Sequence, residues 1–138
     1  MNRAGARLLP GVALVLGLAG PAFPLAEAAL IEVPSGMPVR FHDAIAGEQG
    51  VASVYRFRFV APEIGGAAPR PYEEVAPDMD ALCQGFALSQ LDGGDPPADR
   101  IVISLMAEVV AFGDPSPGTP QYFEAYSLRD GRCIWEAF

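Results

Sequence analysis

Between Val51 and Ile64 the chain runs VASVYRFRFVAPEI, where Tyr55, Phe57 and Phe59 alternate with Val54, Arg56, Arg58 and Val60. Such period-2 alternation is the pattern of a strand with one buried face, and Pro62 ends it. GGAAPRPYEE is loop by composition. The period then changes: in APDMDALCQGFALSQL, Met79, Leu82, Cys83 and Phe86 recur at helical spacing, which predicts a helix with Cys83 on its buried side. Pro77 suits a first-turn position, and Asp78 and Asp80 then sit where the helix dipole favours negative charge. Gly85 costs about 1 kcal/mol relative to alanine in mid-helix, and the run from Asp92 to Pro97 stops the helix. RIVISLMAEVVAF places Ile101, Ile103 and Leu105 on one face and Val102, Ser104 and Met106 on the other. A strand largely apolar on both sides is central in its sheet.

After the loop GDPSPGTP come QYFEAYSL and CIWEAF, joined through Arg129-Asp130-Gly131-Arg132. Asp-Gly between alternating runs is a strong hairpin signal. With Asp130-Gly131 as the two-residue turn, Leu128 pairs with Cys133, Tyr126 with Trp135, and Phe123 with Phe138. Leu128, Cys133, Tyr126 and Trp135 then share the face that looks at the helix carrying Cys83. The ending reads as a core strand fastened to the helix, with Phe138 against Phe123 on the reverse face. A bulge at Gly131 would shift this register.

The earlier stretch LIEVPSGMPVRFHDAIAGEQG reads as an irregular lead-in with a turn of helix around His42 to Ala46. The expected fold class is therefore α+β: one main helix packed on a mainly antiparallel sheet of about four strands, β-α-β-β-β, closing in a C-terminal hairpin.

The first residues change the picture of where this domain resides. Two arginines, an apolar run from Leu8 to Phe23 and the triplet Ala26-Glu27-Ala28 stand in the order of a secretory signal. Pro10, Pro21 and several glycines break the run, and it falls short of the roughly 20 residues a spanning helix needs. Cleavage after Ala28 is expected, leaving residues 29–138 as one domain in the periplasm. The remainder keeps seven of the nine basic residues and sixteen of the seventeen acids, and the chain contains no lysine. So acidic a balance argues against nucleic acid or anionic lipid as the main partner. Two cysteines in an exported chain point to one disulfide, Cys83–Cys133.

Candidate chemistry is sparse, and no cofactor is expected. His42 stands beside Asp43, yet neighbours on a strand face opposite ways, and a surface histidine explains it. Asp78 and Asp80, with Glu73 and Glu74 before them, form the densest acid cluster, and with His42 they make a candidate cation or ligand site. Acids at a helix start need no metal to explain them. A redox role for the cysteines is disfavoured, since catalytic pairs adjoin as Cys-x-x-Cys and Cys83 is expected to be buried. An outer-membrane barrel is excluded by the helix and by Glu136, which occupies a position that should be apolar.

EVAPDMDALCQGFALSQL, RIVISLMAEVVAFG and QYFEAYSLRDGRCIWEAF, in that order, resemble a family of small exported alphaproteobacterial proteins of unknown function, from about Val33 to Phe138. Some members carry the name acetolactate synthase, which a chain this short without a diphosphate-binding motif does not support. The resemblance implies export and a single fold, and brings no functional residues with it. What is left is a non-enzymatic envelope interaction module, using its free sheet face or an edge strand, with Arg56, Arg58 and Glu136 as an exposed row, and meeting another envelope protein. The alternative is a small enzyme or cation-dependent binder at the acidic helix start. A protease inhibitor presenting the loop Gly113 to Pro120 fits the stapled architecture without a motif behind it.

Overall fold

A computed structural model describes residues 11, 29–47, 53–91 and 98–137. Five strands form one sheet in sequence order: β1 (Arg40–Ala46), β2 (Val54–Val60), β3 (Arg100–Met106), β4 (Gln121–Arg129) and β5 (Arg132–Glu136). All pairs are antiparallel except β2–β3, which the helix connects as a crossover. The fold is α+β, with five strands in place of the four expected.

The additional strand is β1, at the segment read as an irregular lead-in with a turn of helix at His42 to Ala46. Its register on β2 shifts between Phe41 and Asp43, so a bulge at His42 erases the alternation that would have revealed it. Pairing with β2 fixes this segment, and its local pattern carries little of that information.

The helix also begins earlier than its pattern predicts. It starts at Tyr72, inside the stretch read as loop, and places Pro77 in its interior. Pro71 is its N-cap, and Glu73 and Glu74 occupy the first turn, taking the dipole position expected of Asp78 and Asp80. The α-helical part, α1 (Tyr72–Ala81), passes through a π-helical segment (Leu82–Ala87) into a last turn, α2 (Leu88–Leu91). Among the described residues no helix is long and apolar enough to cross a membrane.

One face of the sheet packs on this helix. Phe57, Phe59, Ile101, Ile103, Leu105 and Tyr126 meet Val75, Met79, Leu82 and Ala87 in a single buried cluster. Phe86 lies among Phe41, Phe57 and Phe59, with ring centroids 4.9–6.5 Å away. The lead-in is sewn to the helix through Asp78, which is fully buried. Asp78 accepts from the Ser35 backbone N–H at 2.8 Å and the Ser35 hydroxyl at 2.5 Å. A buried carboxylate needs such donors.

The hairpin has the expected register, with Leu128 opposite Cys133 and Tyr126 opposite Trp135. Asp130 and Gly131 have φ of 51° and 71°, the paired positive values of a type I′ turn. The Phe123–Phe138 pair lies outside the described residues. Rather than a core strand, β5 is an edge of the sheet, and Trp135 is 54% exposed.

Two adjacent helix residues hold that edge. Cys83 forms the expected disulfide with Cys133, 50 positions on. The Gln84 side-chain amide donates to the Cys133 carbonyl at 2.7 Å and accepts from its N–H at 3.2 Å. In a two-residue hairpin Leu128 and Cys133 form a non-hydrogen-bonded pair, so these Cys133 groups point away from β4. Gln84 thus fills the place of a neighbouring strand and blunts the edge. Replacing both cysteines with serine should lower unfolding stability by about 4 kcal/mol in the chain-entropy picture. Gln84→Ala should cost about 1–2 kcal/mol with the disulfide intact. Urea unfolding checks both, and a neutral Gln84→Ala would show that the amide does not hold the strand.

The open sheet face as candidate site

Strand alternation sends Arg40, Arg56, Arg58, Arg100, Arg129 and Arg132 to the face away from the helix, as the registers show. Only Arg70 of the arginines beyond residue 28 lies elsewhere, beside Glu63 and Glu74 next to the helix. The strands give that face just two acids, Asp43 and Glu136. A strongly acidic domain therefore presents a locally basic surface.

Arg56, Arg58 and Glu136 all belong to this face, but they do not form an exposed row. Arg58 is only 6% exposed. Its Nε and Nη2 donate to the two carboxylate oxygens of Asp43 at 2.6 and 2.7 Å, and its Nη1 donates to the Val110 carbonyl at 2.8 Å. The segment after β3 folds back over it. Glu136 pairs with Arg100 at 2.9 Å, bridging across β4 from β5 to β3. Arg56 is half-buried and, among the described residues, has no carboxylate partner; its guanidinium carbon lies 5.5 Å from the Phe112 ring centre.

A groove of about 360 Å³ opens between this returning segment and the strands, with Arg56, Arg58, Ser104, Phe112, Gln121 and Phe123 among its lining. Phe112 and Phe123 are 58% and 50% exposed. Asp114 is the acid in its wall, and its Oδ1 accepts from the Ser116 N–H at 3.0 Å. The sequence pattern gives Phe123 a packing role against Phe138 and does not single out Phe112. The signal for Phe112 was an aromatic followed at once by the turn GDP, outside any apolar period.

The acidic candidates are dispersed. Asp78 is occupied by Ser35, and the exposed Asp80 accepts from the Tyr126 hydroxyl at 2.6 Å. His42 is on β1, three strands from β4, or about 14 Å at the usual strand spacing. Its Nε2 lies 3.8 Å from Asp43 Oδ2. Among the described residues no group of three or more His, Cys, Asp or Glu side chains could hold a metal ion. On the helix side, the buried Glu124 accepts from the Tyr72 hydroxyl and, at 2.5 Å, from Trp135 Nε1. Burial, followed by the hydrogen bond to Asp80, pushes the Tyr126 hydroxyl pKa up. That keeps it a neutral donor, suited to holding structure.

The hydrogen bond from Arg58 holds the Asp43 carboxyl below its ordinary range, against a smaller opposing effect of burial. A depressed folded-state pKa gives stability that is complete above the unfolded value, about 3.9, and is lost as pH falls through the folded value. Asp43→Asn should therefore lower stability at neutral pH and flatten the decline that sets in as pH falls below about 4. Because Asp43 is 38% exposed, water screens the pair and the expected loss is about 1 kcal/mol. Thermal melts across that range check the sign; parallel curves for both proteins would contradict it.

No curated protein and no solved structure matches the chain. A model of the family of unknown function DUF6497 matches residues 17–138, nearly the whole sequence. The chain belongs to that family.

Proposed function

We propose that the protein is an exported, non-enzymatic interaction module of the periplasm that meets another envelope protein over the open face of its sheet. The observation that carries this reading is the concentration of arginines on that face, with Arg56, which among the described residues has no carboxylate partner, in a groove lined by the exposed Phe112 and Phe123. In a chain with a net charge of −8, solubility alone calls for no such patch. The disulfide supports an oxidising compartment, and the order of basic, apolar and small residues before Ala29 supports export. Asp78–Ser35 and Gln84 engage helix side chains in holding the domain together, whereas the open face carries the arginines that a partner would meet.

The test is affinity capture from a periplasmic extract of the host with the oxidised protein, set against Arg56→Glu/Arg132→Glu. Arg58 is unsuited to such a test, since a glutamate there would confront Asp43 in a buried site. A partner held by the native protein should be retained roughly tenfold less by the double variant, with little change in melting temperature. Equal retention would remove the open face from the reading. Intact mass of the exported protein should correspond to a chain starting at Ala29; a chain retaining residues 1–28 would contradict cleavage.

A further inference from the structure

Among the described residues, Arg56 and the Arg129–Arg132 pair hold guanidinium charge on the open face without a carboxylate partner, as does Arg40 on β1, whose buried Nε has no hydrogen-bond partner. Arg58 is held by Asp43 and the Val110 carbonyl. Arg56 has only the face of Phe112, which leaves its in-plane N–H donors for a planar carboxylate. At the other end of the sheet, Arg129 and Arg132 are directly opposite each other beside the turn. Like charges at such positions repel, and among the described residues neither has a carboxylate partner. An anion placed between them would relieve that repulsion.

The surface between these anchors has a different character. Along it lie Val102, Ala125, Ser127 and Ile134, with Ile134 exposed, and the Arg100–Glu136 bridge neutralises its own charges. Arg56 is in register with Val102 and Ala125, and Arg129 lies four residues beyond Ala125. At about 3.3 Å per residue and 4.8 Å per strand, the two anchors are about 16 Å apart. That span exceeds a small metabolite and equals about five residues of extended chain. Exposed Phe112, Phe123 and Ile134 favour apolar side chains over a sugar-phosphate backbone.

Resting on the open-face reading above, we infer that the partner docks as an extended acidic polypeptide segment. One carboxylate binds Arg56 beside Phe112, a second four residues on, and so on the same side of the extended segment, reaches through its side chain to bind between Arg129 and Arg132, and apolar side chains lie between. The acidic remainder of the domain repels such a segment elsewhere, so charge sets where it lands.

The probe is the fluorescein-labelled peptide Glu-Val-Phe-Val-Glu, whose two carboxylates share one side of an extended chain, followed by fluorescence anisotropy on the purified, oxidised protein, with a peptide bearing Gln for every Glu as control. The acidic peptide should bind at least roughly tenfold more tightly than the control, with affinity falling as salt rises. Arg56→Gln and Arg129→Gln/Arg132→Gln should each weaken it roughly tenfold, while Arg70→Gln, next to the helix, should leave it unchanged. Phe123→Ser should also weaken it. Should Arg56→Gln alter folding by circular dichroism, the exposed Arg129 and Arg132 pair carries the test. No binding, equal binding of the two peptides, or an equal loss in Arg70→Gln would overturn the inference. If host-partner capture depends on the open face while the peptide fails, the docking chemistry alone falls; if capture also ignores that face, the reading beneath it falls.

Discussion

The structure depends on how one edge strand is held. A five-stranded sheet with helix on a single side has two exposed edges, and β5, five residues long, is joined to the sheet only through β4. A short strand in that position would fray if the ladder alone retained it. Cys83 and Gln84 prevent this from the helix side, one covalently and the other by satisfying both outward groups of Cys133. Once β5 is fixed, Trp135 can reach Glu124, and Glu136 can reach across to Arg100. The helix-side polar cluster and the bridge on the open face thus share one anchor.

The same architecture explains the division of charge. With a single helical layer, the apolar half of each alternating strand is consumed on one side, and the other half is left to residues that tolerate water. Arginine suits those positions because its aliphatic stem covers sheet surface while its head remains accessible. Arg58 shows the limit of that tolerance: covered by the segment after β3, it requires a bidentate carboxylate and a carbonyl to be accommodated. Arg56, one pleat repeat away, is not closed over in the same manner. The contrast between these two neighbours gives the face its chemistry.

What was legible in the sequence followed from period and turn chemistry. β2, β3 and the hairpin show alternation over several residues, and Asp130-Gly131 sets a register that depends on nothing distant. β1 was hidden because the bulge at His42 displaces its alternation, and because pairing with β2 stabilises it. The first turn of the helix was hidden behind Pro69 and Pro71, which read as loop although Pro71 serves as the N-cap. For the site, alternation gave the face of Arg56, Arg58 and Glu136 correctly. It could not give the burial of Arg58, which arises from Asp43 on an unrecognised strand and Val110 in a returning loop. Asp78 was misjudged for a similar reason: its partner, Ser35, is 43 residues away.

An exposed patch of arginine and phenylalanine could be regarded as incidental to a small domain, since much of any protein surface is apolar. The charge pattern weighs against that. Random placement of seven arginines would distribute them over both faces and would put some near the surplus acids, where pairing is free of strain. Here six share the open face, two sit opposite one another at the hairpin end, and Arg56 has no carboxylate partner among the described residues of a chain that has more than twice as many acids as bases beyond residue 28. Concentrating positive charge costs self-repulsion, which the described acids of that face relieve at Arg58 and Arg100 and leave in place at the others. A partner carrying the complementary charge relieves it on binding, so the repulsion left in the free domain becomes part of the driving force for the complex.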